Sequence, residues 1–111
     1  MKDKNISLRI LHTADIHLGI DQFAETQEGV QMEDPRYFVF SSVISKALEL
    51  EVDMFLNAGD LFDSNRVPEQ TIEFALNELG RLMCPVIILP GNHDCYDNNS
   101  IYGRVNFPET L

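Results

Sequence analysis

Three short polar blocks hold the side chains of this chain that are best suited to chemistry. They are Asp15-Ile16-His17, Gly59-Asp60 and Gly91-Asn92-His93-Asp94, and each follows an apolar run that is typical of a β-strand. Polar groups that follow the carboxyl ends of successive parallel strands meet at one edge of the sheet, where α/β proteins place their chemistry. Carboxylates, imidazoles and a carboxamide gathered there are the arrangement that a two-metal hydrolytic site requires.

The spacing inside each block suits metal ligation. Asp15 and His17 are two positions apart, so on an extended segment they point to the same side and can ligate one cation together. Gly59 allows close approach of the backbone, and Asp60 could then bridge two ions with its two oxygens. Asn92 would supply a neutral oxygen to the second ion. Mixed ligation of this kind suits manganese, iron or zinc more than calcium.

Apolar periodicity predicts the elements that position these blocks. Runs of Val, Ile and Leu without polar alternation predict strands that are covered on both faces, and the helices between them predict right-handed crossovers. The fold class predicted is α/β, a βαβαβ half of a layered fold with mainly parallel strands. Met83 belongs to the apolar face of the second helix, and segments 19–34 and 98–111 are predicted loops. The predicted elements are strand 8–11, a helix that begins at Pro35 after an Asp34 cap, strand 54–56, a helix from near Pro68 to residues 80–83, and strand 85–89.

Composition indicates one small globular unit with an acidic surface. The chain has 111 residues, and 18 Asp and Glu against 8 Lys and Arg give a formal net charge of -10, which attracts cations and repels nucleic-acid phosphates. Arg9 interrupts the first apolar stretch, so we expect no signal peptide, no membrane association and a cytoplasmic location. Cys84 and Cys95 lack the spacing of a zinc ribbon or a redox motif and are expected to be reduced thiols.

The order and spacing of the three blocks resemble those of the calcineurin-like metallophosphoesterases. The matching segments are Asp15-Ile16-His17-Leu18-Gly19, Gly59-Asp60-Leu61-Phe62-Asp63 and Gly91-Asn92-His93-Asp94. Together with Ile10-Leu11-His12-Thr13-Ala14, they are most similar to the nuclease subunit (SbcD type) of the SbcCD double-strand-break repair exonuclease and its relatives. The resemblance implies a layered metallophosphoesterase fold and metal-dependent hydrolysis of phosphodiester bonds, as in a DNA repair exonuclease or endonuclease.

The resemblance also implies a ligand set for two divalent metal ions. Asp15 and His17 would hold the first ion, Asp60 would bridge both, and Asn92 would bind the second. Manganese is the expected metal, with iron or zinc as alternatives.

Two further residues receive catalytic roles from the resemblance. His93 would face the scissile phosphate and help the leaving oxygen depart, and Asp63 would orient His93. Asp94 is either a support for a metal ligand or an ordinary loop carboxylate. Tyr96 and Tyr102 could stack on a base or pack under the loop, and packing is the expectation. The implied partners are DNA and a coiled-coil ATPase subunit of the SbcC type.

The chain departs from the family pattern in its histidines. The family completes its site with further histidines late in the domain, whereas this chain has only His12, His17 and His93. We therefore expect residues 1–111 to form the amino-terminal part of a single catalytic domain. An unpaired strand at the edge of such a half sheet favours association, for example into a homodimer.

Two alternative functions stay open. Between Leu18 and Asp34 the chain carries five acidic residues and no Lys or Arg, whereas DNA contacts need positive groups. A calcineurin-like phosphodiesterase with a small nucleotide substrate would tolerate this acidic loop better. The other alternative is a truncated, non-catalytic scaffold, because the carboxy-terminal metal ligands are missing.

Overall fold

A three-stranded parallel sheet with two crossover helices makes up most of the described chain. The computed structural model describes residues 7–19, 35–96 and 100–104. The strands pair in the order β1-β2-β3, both pairs parallel, which confirms the predicted α/β fold class and the βαβαβ unit. The elements are β1 (Ile10–Thr13), α1 (Pro35–Leu50), β2 (Met54–Asn57), α2 (Glu69–Leu79), β3 (Val86–Ile88) and α3 (Ile101–Arg104).

The ends of the elements follow from local capping and differ from the predictions by a few residues. Helix α1 begins at Pro35 as predicted, although Asp34 and the acidic loop at 20–34 lie outside the described residues. Pro68 precedes α2 in an extended conformation, and Gly80 follows its last residue. The prediction for Met83 was wrong, because α2 ends before it and its side chain is 90% exposed.

Both long helices pack on one face of the sheet. The ring of Phe74 in α2 lies 4.8 Å from that of Tyr37 and 6.2 Å from that of Phe40, both in α1. The Tyr37 hydroxyl also lies 2.7 Å from Oγ1 of Thr71. Two crossovers of the same hand that step in the same direction across a sheet must put both helices on one face. The strand side chains on that face form the core with the helices, and Phe55 at its centre is fully buried.

The opposite face of the sheet is open among the described residues, so the prediction of cover on both faces was wrong for this part of the chain. Ile10 is 48% exposed and Ile87 is 41% exposed, although both have strand neighbours. The same rule of handedness explains this, because neither crossover helix can reach that side. Within the described ranges, no helix combines the length and hydrophobicity needed to cross a bilayer.

Candidate metal centre

The first two polar blocks lie side by side because the β1–β2 pairing continues past the ends of the strands. The backbone N–H of Asp15 donates to the carbonyl of Gly59, and that of His17 donates to the carbonyl of Asp60, each at 2.9 Å. Leu18 ends this pairing with a parallel bridge to the segment after β2. The register of the sheet therefore carries both blocks to the same edge.

Two glycines bring the third block against the second. A Cβ on Gly91 would lie 2.3 Å from Oδ1 and 2.6 Å from the backbone nitrogen of Asp60, distances that no side-chain carbon tolerates. Gly59 has a φ of +119°, and a Cβ there would lie 3.4 Å from the Cα of Gly91. Such a φ is available almost only to glycine. The loops after β2 and β3 thus touch backbone to backbone at the site.

Left-handed backbone at residues other than glycine is concentrated at this edge. Asp15, His17 and Asp60 have φ values of 58°, 56° and 56°, and among the described residues Glu51 is the fourth of this kind. Each such residue costs roughly 1–2 kcal/mol relative to the right-handed conformation. Unfavourable backbone persists mainly where the surrounding structure holds it for a function. Three of the four strained positions are residues that the sequence singled out for chemistry.

The side chains of His17, Asp60 and His93 converge at this edge. Nε2 of His17 lies 3.9 Å, and Nδ1 of His93 3.3 Å, from Oδ2 of Asp60. The two imidazole rings meet edge to face, with centroids 4.8 Å apart. One ligand atom from each of the three residues falls within 4.8 Å of the others. Two imidazole nitrogens and a carboxylate oxygen form a donor set that manganese, iron and zinc accept.

Hydrogen bonds keep Asp60 ionised in this cluster. The backbone N–H of His93 donates to Oδ1 of Asp60 at 2.8 Å. Burial raises the pKa of the Asp60 carboxyl. Bonds from the backbone and ring of His93, with electrostatic attraction to that imidazole and to His17, outweigh burial and hold the pKa below its ordinary 3.8. A carboxylate that is charged at neutral pH is ready to bind a cation.

Asp94 holds the loops together from below the cluster. It is fully buried, and its Oδ1 accepts the backbone N–H of Gly91 at 2.7 Å and that of Asp60 at 3.2 Å. Its Oδ2 accepts the N–H of Phe62 at 3.2 Å and the hydroxyl of Tyr102. Burial and the bond to this carboxylate raise the pKa of Tyr102 far above its ordinary value, so the hydroxyl remains a donor. The sequence left the role of Asp94 open, and the structure shows it as a support.

Comparison with known proteins is consistent with this site. The sequence profile described as "Calcineurin-like phosphoesterase" matches residues 8–109. The chain belongs to the calcineurin-like phosphoesterase family. It is 37% identical over 94 residues to the DNA double-strand break repair protein Mre11 of Methanosarcina acetivorans, covering 82% of the chain and 15% of that protein. The chain is also 33% identical over 90 residues to the protein of the same name from Saccharolobus solfataricus. That alignment covers 78% of the chain and 23% of the relative.

The family membership confirms the resemblance seen in the three blocks. A third relative, the DNA double-strand break repair protein Mre11 of Methanosarcina mazei, is 38% identical over 90 residues, covering 78% of the chain and 14% of the relative. The chain therefore spans less than a quarter of the length of these relatives. The phosphoesterase family and the cluster of His17, Asp60 and His93 together indicate a site for divalent metal.

The structure brings together some of the predicted phosphoesterase residues and not others. The carboxylate of Asp63 contacts Nδ1 of His17 at 3.2 Å, whereas the carboxylate that contacts the ring of His93 belongs to Asp60. Asp63 therefore forms its hydrogen bond with His17 and none with His93, the residue that it was expected to orient. The side chains of Asp15 and Asn92 are exposed and form no hydrogen bond with other described residues. Their assignment as metal ligands stays a prediction.

The sequence did not predict the hydrogen bond that makes Asp94 and Tyr102 a supporting pair. Asp94 carried a weak signal, since it directly follows Gly91-Asn92-His93. Tyr102 was expected only to pack under the loop. The prediction of a loop for 98–111 was wrong at helix α3, because a four-residue helix is too short to show an amphipathic period.

Proposed function

We propose that this chain provides the amino-terminal part of a metal-dependent phosphodiesterase that acts on DNA through a dinuclear metal centre. The observation that carries the proposal is the convergence of His17, Asp60 and His93 at the carboxyl edge of the sheet, within a phosphoesterase family. The similar proteins named for DNA double-strand break repair support DNA as the substrate.

The proposed ligands divide between two cations. Asp15 and His17 would hold the first ion, Asp60 would contribute to both, and Asn92 would contribute to the second. The donor set favours manganese, with iron or zinc as alternatives. When bound, the cations would neutralise charge on the phosphate and lower the pKa of an attacking water. The hydrogen bond from the His93 backbone to Oδ1 of Asp60 orients the bridging carboxylate before any cation arrives.

His93 is proposed as the general acid of the reaction and not as a ligand of either ion, although its ring lies within ligand distance of His17 and Asp60. Its side chain is 54% exposed, against 21% for that of His17, so a substrate can reach the His93 ring more easily. Its Nδ1 lies 3.3 Å from Oδ2 of Asp60, and this contact holds the ring at the edge of the cluster, where it could deliver a proton to the leaving oxygen. Asp63 contacts His17, which supports a role in fixing that ligand. The role of Asp63 in orienting His93 would require it to change partners.

The partners and the location of the protein are part of the same proposal. A coiled-coil ATPase subunit would supply a second component in the cytoplasm, and DNA contacts would come from surfaces other than the acidic loop. A small nucleotide substrate is the second candidate, favoured by the formal net charge of -10. Hydrolysis of a chromogenic phosphodiester without cleavage of duplex DNA would favour that candidate.

The bridging role of Asp60 can be tested by manganese titration of the chain in a calorimeter. Asp60→Asn removes the ionised ligand, so we expect a loss of manganese affinity of at least 10-fold. Asp53→Asn is the matched control. Asp53 directly precedes the amino-terminal end of β2, whereas Asp60 follows the carboxyl end, and Asp53 accepts the backbone N–H of Arg9. Unchanged affinity in Asp60→Asn would refute the proposed centre.

The general acid role predicts a different pattern for His93→Ala. Manganese affinity should stay close to that of the unchanged chain, while turnover of a chromogenic phosphodiester should fall about 100-fold. We expect low absolute turnover, because the second ion has few ligands in this chain. A loss of manganese affinity as large as that in Asp60→Asn would make His93 a ligand.

A further inference from the structure

A buried chain of hydrogen bonds joins helix α3 to the candidate metal centre. The hydroxyl of Tyr102 donates to Oδ2 of Asp94, and Oδ1 of Asp94 accepts the backbone N–H of Asp60. We propose that Tyr102 is a positioning residue that sets the place of Asp60 through Asp94. The inference concerns the same site and rests on the proposed metal function for its consequence, while its structural part is testable without metal.

Asp94 can transmit the position of Tyr102 because both of its oxygens are fully used. A buried carboxylate needs donors around it, and here three backbone N–H groups and one hydroxyl provide them. Removal of the hydroxyl takes one donor from Oδ2, and the carboxylate must then turn or shift to recover one. Since Oδ1 is bonded to Asp60 and Gly91, any turn of the carboxylate changes how the two loops meet.

The third block determines the orientation of Asp60 at two points. Through Asp94 it holds the backbone nitrogen of Asp60, and through the N–H of His93 it holds the side-chain oxygen Oδ1. These bonds leave Oδ2 facing the rings of His17 and His93. A shift of Asp94 therefore moves the proposed bridging ligand even though no hydrogen bond joins the two carboxylates directly.

Helix α3 is held firmly enough to act as an anchor. The side chain of Asn65, from the loop after β2, accepts the N–H of Ile101 at 3.1 Å and donates to the carbonyl of Cys95 at 3.0 Å. Ile101 is fully buried, and the ring of Tyr102 lies 6.3 Å from that of Phe62. The Tyr102 ring thus lies beside Phe62, whose own N–H bonds the same oxygen of Asp94 as the Tyr102 hydroxyl.

The decisive variant is Tyr102→Phe, which removes one oxygen and retains the packed ring. We expect manganese affinity, measured by calorimetry, to fall about 10-fold, the lower end of what outer partners of metal ligands contribute. In the metal-free chain, hydrogen exchange at the His93 amide should become several-fold faster, because that amide is bonded to Asp60. The matched control is Tyr37→Phe, which removes a buried hydroxyl whose bond to Thr71 joins α1 to α2 and is separate from the hydrogen bonds between Tyr102, Asp94 and Asp60.

The control separates positioning from general stability. Tyr37→Phe should lower the melting temperature to a similar extent but leave manganese affinity and His93 exchange unchanged. If Tyr102→Phe behaves like this control, the hydroxyl has only a structural role and the inference is overturned. Asp94→Asn provides a second variant with an expected larger loss of affinity, and unchanged affinity in that variant also overturns it.

Failure of the proposed function has a different signature. If the unchanged chain binds no manganese, the dinuclear centre is refuted. The exchange rates of the His93 amide in Tyr102→Phe and Tyr37→Phe then still decide whether Tyr102 positions Asp60.

Discussion

Replacement of Gly91 by alanine tests the close contact on which the candidate centre depends. The added Cβ would lie 2.3 Å from Oδ1 and 2.6 Å from the backbone nitrogen of Asp60. Since real Cβ contacts are essentially never shorter than 3.0 Å, Oδ1 must move by about 0.7 Å, the difference between 3.0 and 2.3 Å. The backbone nitrogen must also move, and it is bonded to Asp94.

Two losses follow from this displacement. Overpacking of a close-packed site typically costs about 1–3 kcal/mol of unfolding free energy, which urea denaturation can measure. The oxygen that must move accepts the N–H of His93, so the orientation of Asp60 changes as well. We therefore expect manganese affinity to fall about 10- to 100-fold in a calorimetric titration.

The control for this experiment is Gly103→Ala, which adds the same methyl group in α3 instead of between the two loops. Among the described residues, a Cβ on Gly103 in α3 would meet the hydroxyl end of the Tyr96 ring, at 3.8 Å, which is an ordinary contact. Gly103→Ala should be neutral or stabilise the chain by up to about 1 kcal/mol, because alanine is the better helix former. If Gly91→Ala stays within about 0.5 kcal/mol of the unchanged chain and binds manganese equally well, the loops do not meet as described.

Three further predictions concern stability. Because burial and Asp94 raise the pKa of Tyr102 above its ordinary 10.0, the unfolded chain loses that proton first. The stabilisation by the protonated Tyr102 hydroxyl is therefore complete below pH 10 and declines as the pH rises above 10. In urea titrations above pH 10, the difference in unfolding free energy between the unchanged chain and Tyr102→Phe should become smaller. A gap independent of pH would contradict this. Gly59→Ala, at a φ of +119°, should cost about 1–3 kcal/mol by urea denaturation, and a cost near zero would exclude that backbone conformation. Phe55→Ala should cost about 3–5 kcal/mol, since the ring is fully buried under both helices, and a loss below 1 kcal/mol would place it outside the core.

The order of the three strands and the two long helices was predictable because it is encoded in local periodicity, whereas α3 lies in a predicted loop. Pro35 begins α1 as predicted, and the three strands lie within two residues of their predicted positions. The prediction that both faces of the sheet are covered was wrong. Runs of Val, Ile and Leu show that a strand is hydrophobic, but they do not determine which elements pack on each face. The handedness of both crossovers decides which face the helices occupy, and it acts only once the strands are paired in order.

The sequence by itself determined which side chains are suited to phosphoesterase chemistry and that strand ends carry them to one edge. His17, Asp60 and His93 were predicted in this way, and the structure brings their side chains together at that edge. Only the tertiary structure decided the partners: Asp63 lies against His17, and Asp94 is buried beneath the backbone of Asp60. Such pairings join positions more than 30 residues apart, and local preferences carry no information about which loops come into contact.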